Sequence, residues 1–152
     1  SSPPPASAAL RSASGLVKLD ALAKLPVAST KPYPGYPGAS FRFGMFERPD
    51  AYASFAAASG LSLPEDVDWG REGVAFIVFD AQTNSLRAHD LTREGDTVTF
   101  RAWHSGIEPH YADRTPIAVA VVDRRNIDWL RFSLMRDHGS EQPLGKVSAT
   151  LE

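Results

Sequence analysis

Two short segments of the chain are apolar at every position, and they constrain the fold more than any other feature. Residues 74–79 read VAFIVF, and residues 117–122 read IAVAVV. Successive side chains of a β-strand point to opposite faces of its sheet, so a strand that is apolar throughout must be covered on both faces. The sequence therefore predicts two central strands in a sheet whose two faces are both buried.

A strand and a short helix are predicted between residue 40 and the first of these segments. Phe41, Phe43 and Met45 alternate with polar or small residues, which is typical of a strand with one buried face. Pro49 suits the first position of a helix, and Gly60 suits the position after its end. We therefore expect a strand from residue 40 and one helix over residues 49–59.

The second half of the chain is predicted to be strands. Residues 85–91 and 97–104 flank a turn at Gly95, and this pattern predicts a β-hairpin. Residues 127–135 continue as a strand, and residues 147–151 could add a short edge strand. Strands do not alternate with helices in this order, so a parallel sheet is not expected.

These elements predict an α+β fold with one short main helix. The sheet should be mostly antiparallel and either curled or sandwich-like. Residues 40–152 form the predicted β-rich globular domain, and residues 1–39 form a Pro/Ser/Ala-rich N-terminal arm with a possible short helix. We expect the domain to stay folded without residues 1–38.

Composition excludes several classes of protein. The chain has no cysteine, so disulfides, thiolate metal sites and a cysteine nucleophile are excluded. The formal net charge of −2 argues against a nucleic-acid partner, which needs a basic surface. No apolar run reaches the ~20 residues that a membrane-spanning helix needs. The first residue is not methionine, so we expect that a stretch was removed, either a signal segment or a trimmed piece of the chain. We prefer the signal segment, which implies an exported protein with a periplasmic or extracellular location.

One group of residues could support catalysis. His104, Glu108 and His110 lie close in sequence, and two histidines with one carboxylate can bind a catalytic metal. Their spacing matches no common metal motif, which favours ordinary loop residues. His104 also shares the strand parity of Val98 and Phe100, so it could instead lie at the edge of the core. We therefore predict no catalytic residue and no cofactor, and keep a small metal-dependent or hydrolytic enzyme as the alternative.

Two groups of residues are candidates for contact with a partner. The segment Tyr33, Pro34, Tyr36 and Pro37 could present a stiff aromatic surface to another protein. Trp129 has the opposite strand parity to Leu130 and Phe132, so it should face outward beside Arg131. Trp and Arg are enriched where protein contacts are strongest, and the other interpretation of Trp129 is that the arm covers it.

Part of the chain also resembles a known family. From residue 46 to residue 132 the layout resembles the C-terminal domain of the PrcB family, protease-complex subunits of bacterial envelopes. The matching features, in order, are the helix sequence DAYASF at 50–55, Leu63-Pro64, Asp68-Trp69, the apolar strand 74–79, the turn Glu94-Gly95-Asp96 and Thr115-Pro116. The resemblance implies a non-catalytic envelope domain that helps to assemble a protein complex.

The sequence thus predicts a non-enzymatic binding or accessory protein of the bacterial cell envelope. It would be a subunit of a larger protein complex, including a membrane-associated one, and would use its arm and sheet surface for contact. A β-rich domain that binds a small molecule within its sheet is a further alternative, because strand patterns do not reveal cavity volume.

Overall fold

The chain forms nine strands, one 3₁₀ helix and one α-helix within the part that the computed structural model describes, which is residues 10–26, 28–33, 38–79, 84–107, 113–136 and 139–151. In chain order these elements are β1 (Ser12–Lys18), the 3₁₀ helix (Leu19–Lys24), β2 (Ser29–Pro32), β3 (Ser40–Phe46), α1 (Pro49–Ser59), β4 (Glu72–Phe79), β5 (Asn84–Glu94), β6 (Thr97–Ile107), β7 (Arg114–Asp123), β8 (Trp129–Met135) and β9 (Glu141–Ser148).

The strands form two sheets. The first has the order β1-β7-β4-β3-β2 and is antiparallel throughout, and the second has the order β5-β6-β8-β9. In the second sheet β6 and β8 run parallel, while the other two pairs are antiparallel. The predicted α+β class, with a mostly antiparallel, sandwich-like arrangement and one short main helix, is confirmed.

The two apolar segments form the centre of the first sheet, as predicted. β4 and β7 pair with each other, and each has another strand on its far side. The side chains of Ala75, Ile77 and Phe79 pack between the two sheets. The side chains of Phe76 and Val78 point the other way, into a second apolar cluster beneath the helices. The strands are apolar on both faces because the first sheet lies between two other layers.

The helices form the third layer, against the first sheet. Tyr52 and Phe55 of α1 are buried there, and the ring centroids of Phe55 and Phe46 lie 5.3 Å apart. The helix ends at Gly60, which has a φ of 75° that glycine adopts without strain. The predicted helix bounds agree with the observed ones because proline and glycine mark both ends.

The N-terminal region contains the possible short helix, as the 3₁₀ helix Leu19–Lys24, but its other described elements differ from the predicted arm. Residues 12–18 form β1, an edge strand of the first sheet that pairs with β7, and residues 29–32 form β2 at the opposite edge. Val17 is fully buried beneath the helices. Ser and Ala residues suggested a tether, but here main-chain hydrogen bonds to an apolar neighbour hold the strand in place. Residues 1–9 lie outside the described part.

The last strand is longer than the sequence predicts. β9 begins at Glu141, although only residues 147–151 were expected to form an edge strand. The sequence does not predict the first part of β9 because Pro143 and Gly145 belong to residue types that are depleted in strands. The glycine is required by packing, since a Cβ atom at residue 145 would lie 2.7 Å from Cζ of Phe43 in the first sheet.

The buried position of Val17 gives a direct test of this correction. We expect Val17→Ala to lower the free energy of unfolding by about 2 kcal/mol, because it removes fully buried methyl groups. Leu19→Ala is the matched control, since the Leu19 side chain is 37% exposed and should lose much less. Urea denaturation followed by circular dichroism measures both. Equal, small losses would mean that β1 is a dispensable arm.

Candidate binding face on the second sheet

The second sheet has one buried face and one open face. Its inner face packs against the first sheet through Phe100, Phe132 and Leu134, among others. Both helices lie against the first sheet, so among the described residues no helix covers the outer side of the second sheet. We call this side the outer face. The outer face is formed by Thr97, Thr99, Arg101 and Trp103 of β6, Trp129 and Arg131 of β8, and Glu141 and Lys146 of β9.

Trp129 is an exposed, large apolar side chain of this face. Its side chain is 39% exposed, on the outward parity of β8 that the sequence predicts. Nζ of Lys146 on β9 lies 4.2 Å from the centroid of the Trp129 ring, in cation–π geometry. At exposed sites such a contact contributes about 0.5–1 kcal/mol. The lysine therefore contacts the indole ring, while much of the tryptophan stays exposed.

Arg131 and Lys146 place two positive charges opposite each other. They are directly paired across β8 and β9. Neither side chain forms an ion pair with a described residue. Like charges in this cross-strand position are unfavourable, by roughly 0.2–1 kcal/mol. Within the described part of the chain, the outer face thus has two neighbouring positive charges without a paired carboxylate beside its exposed tryptophan.

The charge of Arg101, in contrast, is balanced by two carboxylates, those of Asp90 and Glu141. Its guanidinium donates to Glu141 and to Oδ1 of Asp90, the second at 3.4 Å, and to Oγ1 of Thr92 at 2.6 Å. The hydrogen bond to Glu141 is the largest cause that raises the pKa of Arg101. Arg101 therefore bridges three strands of the sheet and presents little unbalanced charge.

A recess of about 310 Å³ opens on the outer face between these two charged groups. It lies beside a β-bulge, where the register of β8 and β9 shifts between Phe132 and Ser133. Bulges interrupt the ladder and redirect side chains, and they are frequent next to functional sites. The recess is lined by Glu94, Thr99, Arg101, Arg131, Phe132, Ser133, Glu141, Pro143, Gly145 and Lys146.

The other predicted contact segment is used differently. The ring of Tyr33 packs on Phe41 and Phe79, with centroids 5.7 Å and 5.5 Å away. Nη1 of Arg136 donates to the Tyr33 hydroxyl at 3.0 Å, and the guanidinium lies over the ring. Tyr33 is thus half-buried and engaged within the domain. Pro34, Tyr36 and Pro37 lie outside the described residues.

His104 is buried in an aromatic cluster at the end of the core. It is 4% exposed, and its ring lies 5.4 Å from that of Phe41 and 5.2 Å from that of Phe79. This is the core-edge position that strand parity predicts. Glu108 and His110 lie outside the described residues, so the metal hypothesis stays a prediction. Among the residues that are described, no three His, Asp or Glu side chains gather as metal ligands.

A second recess, of about 480 Å³, lies between α1 and the connector of residues 61–69. The buried Tyr52 forms part of its wall, and its hydroxyl donates to the carbonyl of Pro64 at 2.7 Å. Nη2 of Arg11 donates to the carbonyls of Glu65 and Asp66 at 2.8 and 2.9 Å, which fixes the connector. Burial raises the pKa of Tyr52 to about 12.

Lys146, Arg101 and Glu141 of the outer face are not among the candidate contact residues predicted from the sequence. Arg101 and Trp103 alternate with Phe100 and Ala102, so the outward direction of Arg101 was readable from β6 alone. The neighbours of Arg101 could not be predicted from the sequence, because they depend on the parallel pairing of β6 with β8 and on the full length of β9.

The comparisons with known proteins leave the chain without an assigned family. No family model matches it, no curated protein matches it, and no solved structure matches it. The resemblance to the PrcB C-terminal domain accordingly stays a prediction. Within the described ranges, neither helix has the length and hydropathy that crossing a membrane would demand.

Replacing Arg131 in the like-charge pair should make the protein more stable, which is unusual for a substitution. Arg131→Glu should raise the free energy of unfolding by roughly 0.2–1 kcal/mol, because it places opposite charges across β8 and β9 and keeps the contact of Lys146 with Trp129. Arg131→Gln removes only the repulsion and should gain less. Thermal unfolding at low and high salt measures both, and the gain should shrink with salt. A loss of stability in Arg131→Glu would show that Arg131 has a stabilising partner.

Tyr52 predicts a loss of stability at alkaline pH. Below pH 10 its hydroxyl is neutral in the folded and unfolded states, whereas between pH 10 and its folded pKa of about 12 only the unfolded chain releases the proton. Stability should therefore fall as the pH rises through this interval. Urea denaturation across the interval should show a flatter pH dependence for Tyr52→Phe. Identical slopes would mean that the hydroxyl is accessible to water.

Proposed function

We propose that this protein is a non-enzymatic binding domain that joins a larger protein complex through the outer face of its second sheet. The observation that carries the proposal is Trp129, an exposed indole in contact with Lys146 and next to Arg131, which has no ion pair with a described residue. Tryptophan and arginine are the residues most enriched at the energetic centres of protein interfaces. Here both lie on a strand in the interior of the sheet, so a partner would meet a rigid surface.

The layering of the molecule supports the same surface. The first sheet is covered on one side by the helices and on the other by the second sheet. The outer face is the broad side of a sheet that no described helix covers. Rigid, preformed contact surfaces lose little conformational entropy on binding, which favours association.

The structure of the N-terminal region changes which residues we propose for the contact. The sequence suggested the arm around Tyr33 together with Trp129. The Tyr33 ring and hydroxyl are engaged by Phe41, Phe79 and Arg136 within the domain. The proposed contact therefore centres on Trp129 and Arg131. The proposed location is the bacterial cell envelope, as the sequence suggests, and cell fractionation tests it independently.

Site-specific photo-crosslinking in the cells that make this protein tests the proposal. A photoreactive amino acid at Ser148, exposed and opposite Trp129 on β9, should cross-link to one discrete partner protein. The same group at Ala57, exposed on α1 at the opposite side of the molecule, is the matched control and should not give that product.

The dependence on Trp129 makes this test specific. Trp129→Ala should lower the cross-link yield at Ser148 roughly tenfold, as expected for the loss of a central interface residue. Leu19→Ala, which removes an exposed apolar side chain elsewhere, should not lower it. Products that are the same at Ser148 and Ala57, or a yield that is indifferent to Trp129, would contradict the proposal.

A further inference from the structure

The charge arrangement of the outer face indicates the chemistry of what binds there. Arg131 and Lys146 face each other across β8 and β9, and neither is neutralised by a carboxylate of the described residues. An anion placed between them would relieve the repulsion and accept charge-assisted hydrogen bonds from both side chains. The recess next to them gives such a group room to enter.

The rest of the recess argues against a uniformly negative ligand. Glu94 and Glu141 also line it, and Glu141 is already engaged by Arg101. A polyanion such as a nucleic acid would bring phosphates against these two carboxylates, and the net charge of the chain is −2. A ligand with separated negative groups avoids this repulsion, because one carboxylate can meet the positive pair while its neighbours do not.

Trp129 supplies the second element of the recognition. Its ring lies next to the positive pair, 4.2 Å from Nζ of Lys146, and it offers an apolar surface. An extended peptide places alternate side chains on the same side, so an acidic and an apolar residue two positions apart can reach neighbouring sites on a sheet face. Trp129 and Arg131 lie two residues apart on the outward side of β8, and Lys146 of β9 lies opposite Arg131.

We propose that the Arg131–Lys146 pair binds an acidic side chain of an extended segment of the partner protein, with an apolar residue of that segment on Trp129. This inference rests on the proposed function and specifies the class of partner. The ligand is a peptide in which an acidic residue and an apolar residue lie two positions apart, on the same side of the extended chain.

Fluorescence anisotropy with a dye-labelled peptide tests the chemistry on the purified full chain. The probe is a ten-residue peptide that alternates Glu with Thr, with Leu in place of one central Glu so that it lies two positions from the neighbouring Glu residues. Its control replaces each Glu by Gln. The Glu peptide should bind, with an affinity that falls as salt rises, and the Gln peptide should bind at least roughly tenfold more weakly.

Protein variants locate the site. Arg131→Gln and Lys146→Gln should each lower the affinity roughly tenfold. Arg48→Gln is the matched control, because Arg48 is exposed before α1, has no ion pair among the described residues, and changes the net charge equally. Arg48→Gln should leave the affinity unchanged. Thermal unfolding of each variant checks that it is folded. Arg131→Gln should not destabilise the protein, whereas Lys146→Gln also loses the contact with Trp129.

Several outcomes would overturn the inference. These are no binding of the Glu peptide, equal binding of the Gln peptide, or an equal effect of Arg48→Gln. Tighter binding of a ten-nucleotide single-stranded DNA or of phosphatidylglycerol vesicles, lost in the same variants, would assign the positive pair to another class of partner. If the Glu peptide does not bind while the cross-link at Ser148 depends on Trp129, the proposed function stands. Only the inference that the partner supplies an acidic, extended segment would then be wrong.

Discussion

The antiparallel pairing of β4 with β7 is the interaction on which the rest of the structure depends. Both strands are apolar on both faces, so exposing either face of this pair to water would cost the hydrophobic contribution of several fully buried side chains. One face is covered by the second sheet and the other by α1 and the 3₁₀ helix. In this arrangement no described helix covers the outer face of the second sheet, which is the surface that we propose for contact with a partner.

The sequence predicts the parts of this fold that follow from local patterns. The doubly apolar segments, the helix between Pro49 and Gly60 and the hairpin turn at Gly95 were all readable, because periodicity and turn residues determine them directly. The parallel pairing of β6 with β8 was not readable, because it depends on contacts between distant segments. β1 and β9 were also missed in whole or in part, because main-chain pairing and the approach of Phe43 to Gly145 matter more there than residue propensity.

For the outer face too, local patterns could be predicted from the sequence and long-range contacts could not. Strand parity alone predicts that Trp129 faces outward and that His104 faces the core. The like-charge pair that Arg131 forms with Lys146 could not be predicted, because it depends on the register between β8 and β9. A like-charge pair has a cost to stability, and proteins commonly retain such costs where binding requires them. The position of Tyr33 shows the converse, since an aromatic residue in a prolyl segment is used for packing within the domain.

Hydroxyl-radical footprinting of the tryptophans tests the central claim most directly, because it measures the exposure of the indole rings in the free protein and in the native assembly. In the purified protein, Trp129 should be oxidised readily, in line with its 39% exposure. In intact cells, where the partner is present, its oxidation should fall several-fold, while Trp69 beneath α1 should react as it does in the free protein. Equal oxidation of Trp129 in both conditions would show that the outer face stays open to water, and the account of this surface as the contact site would be wrong.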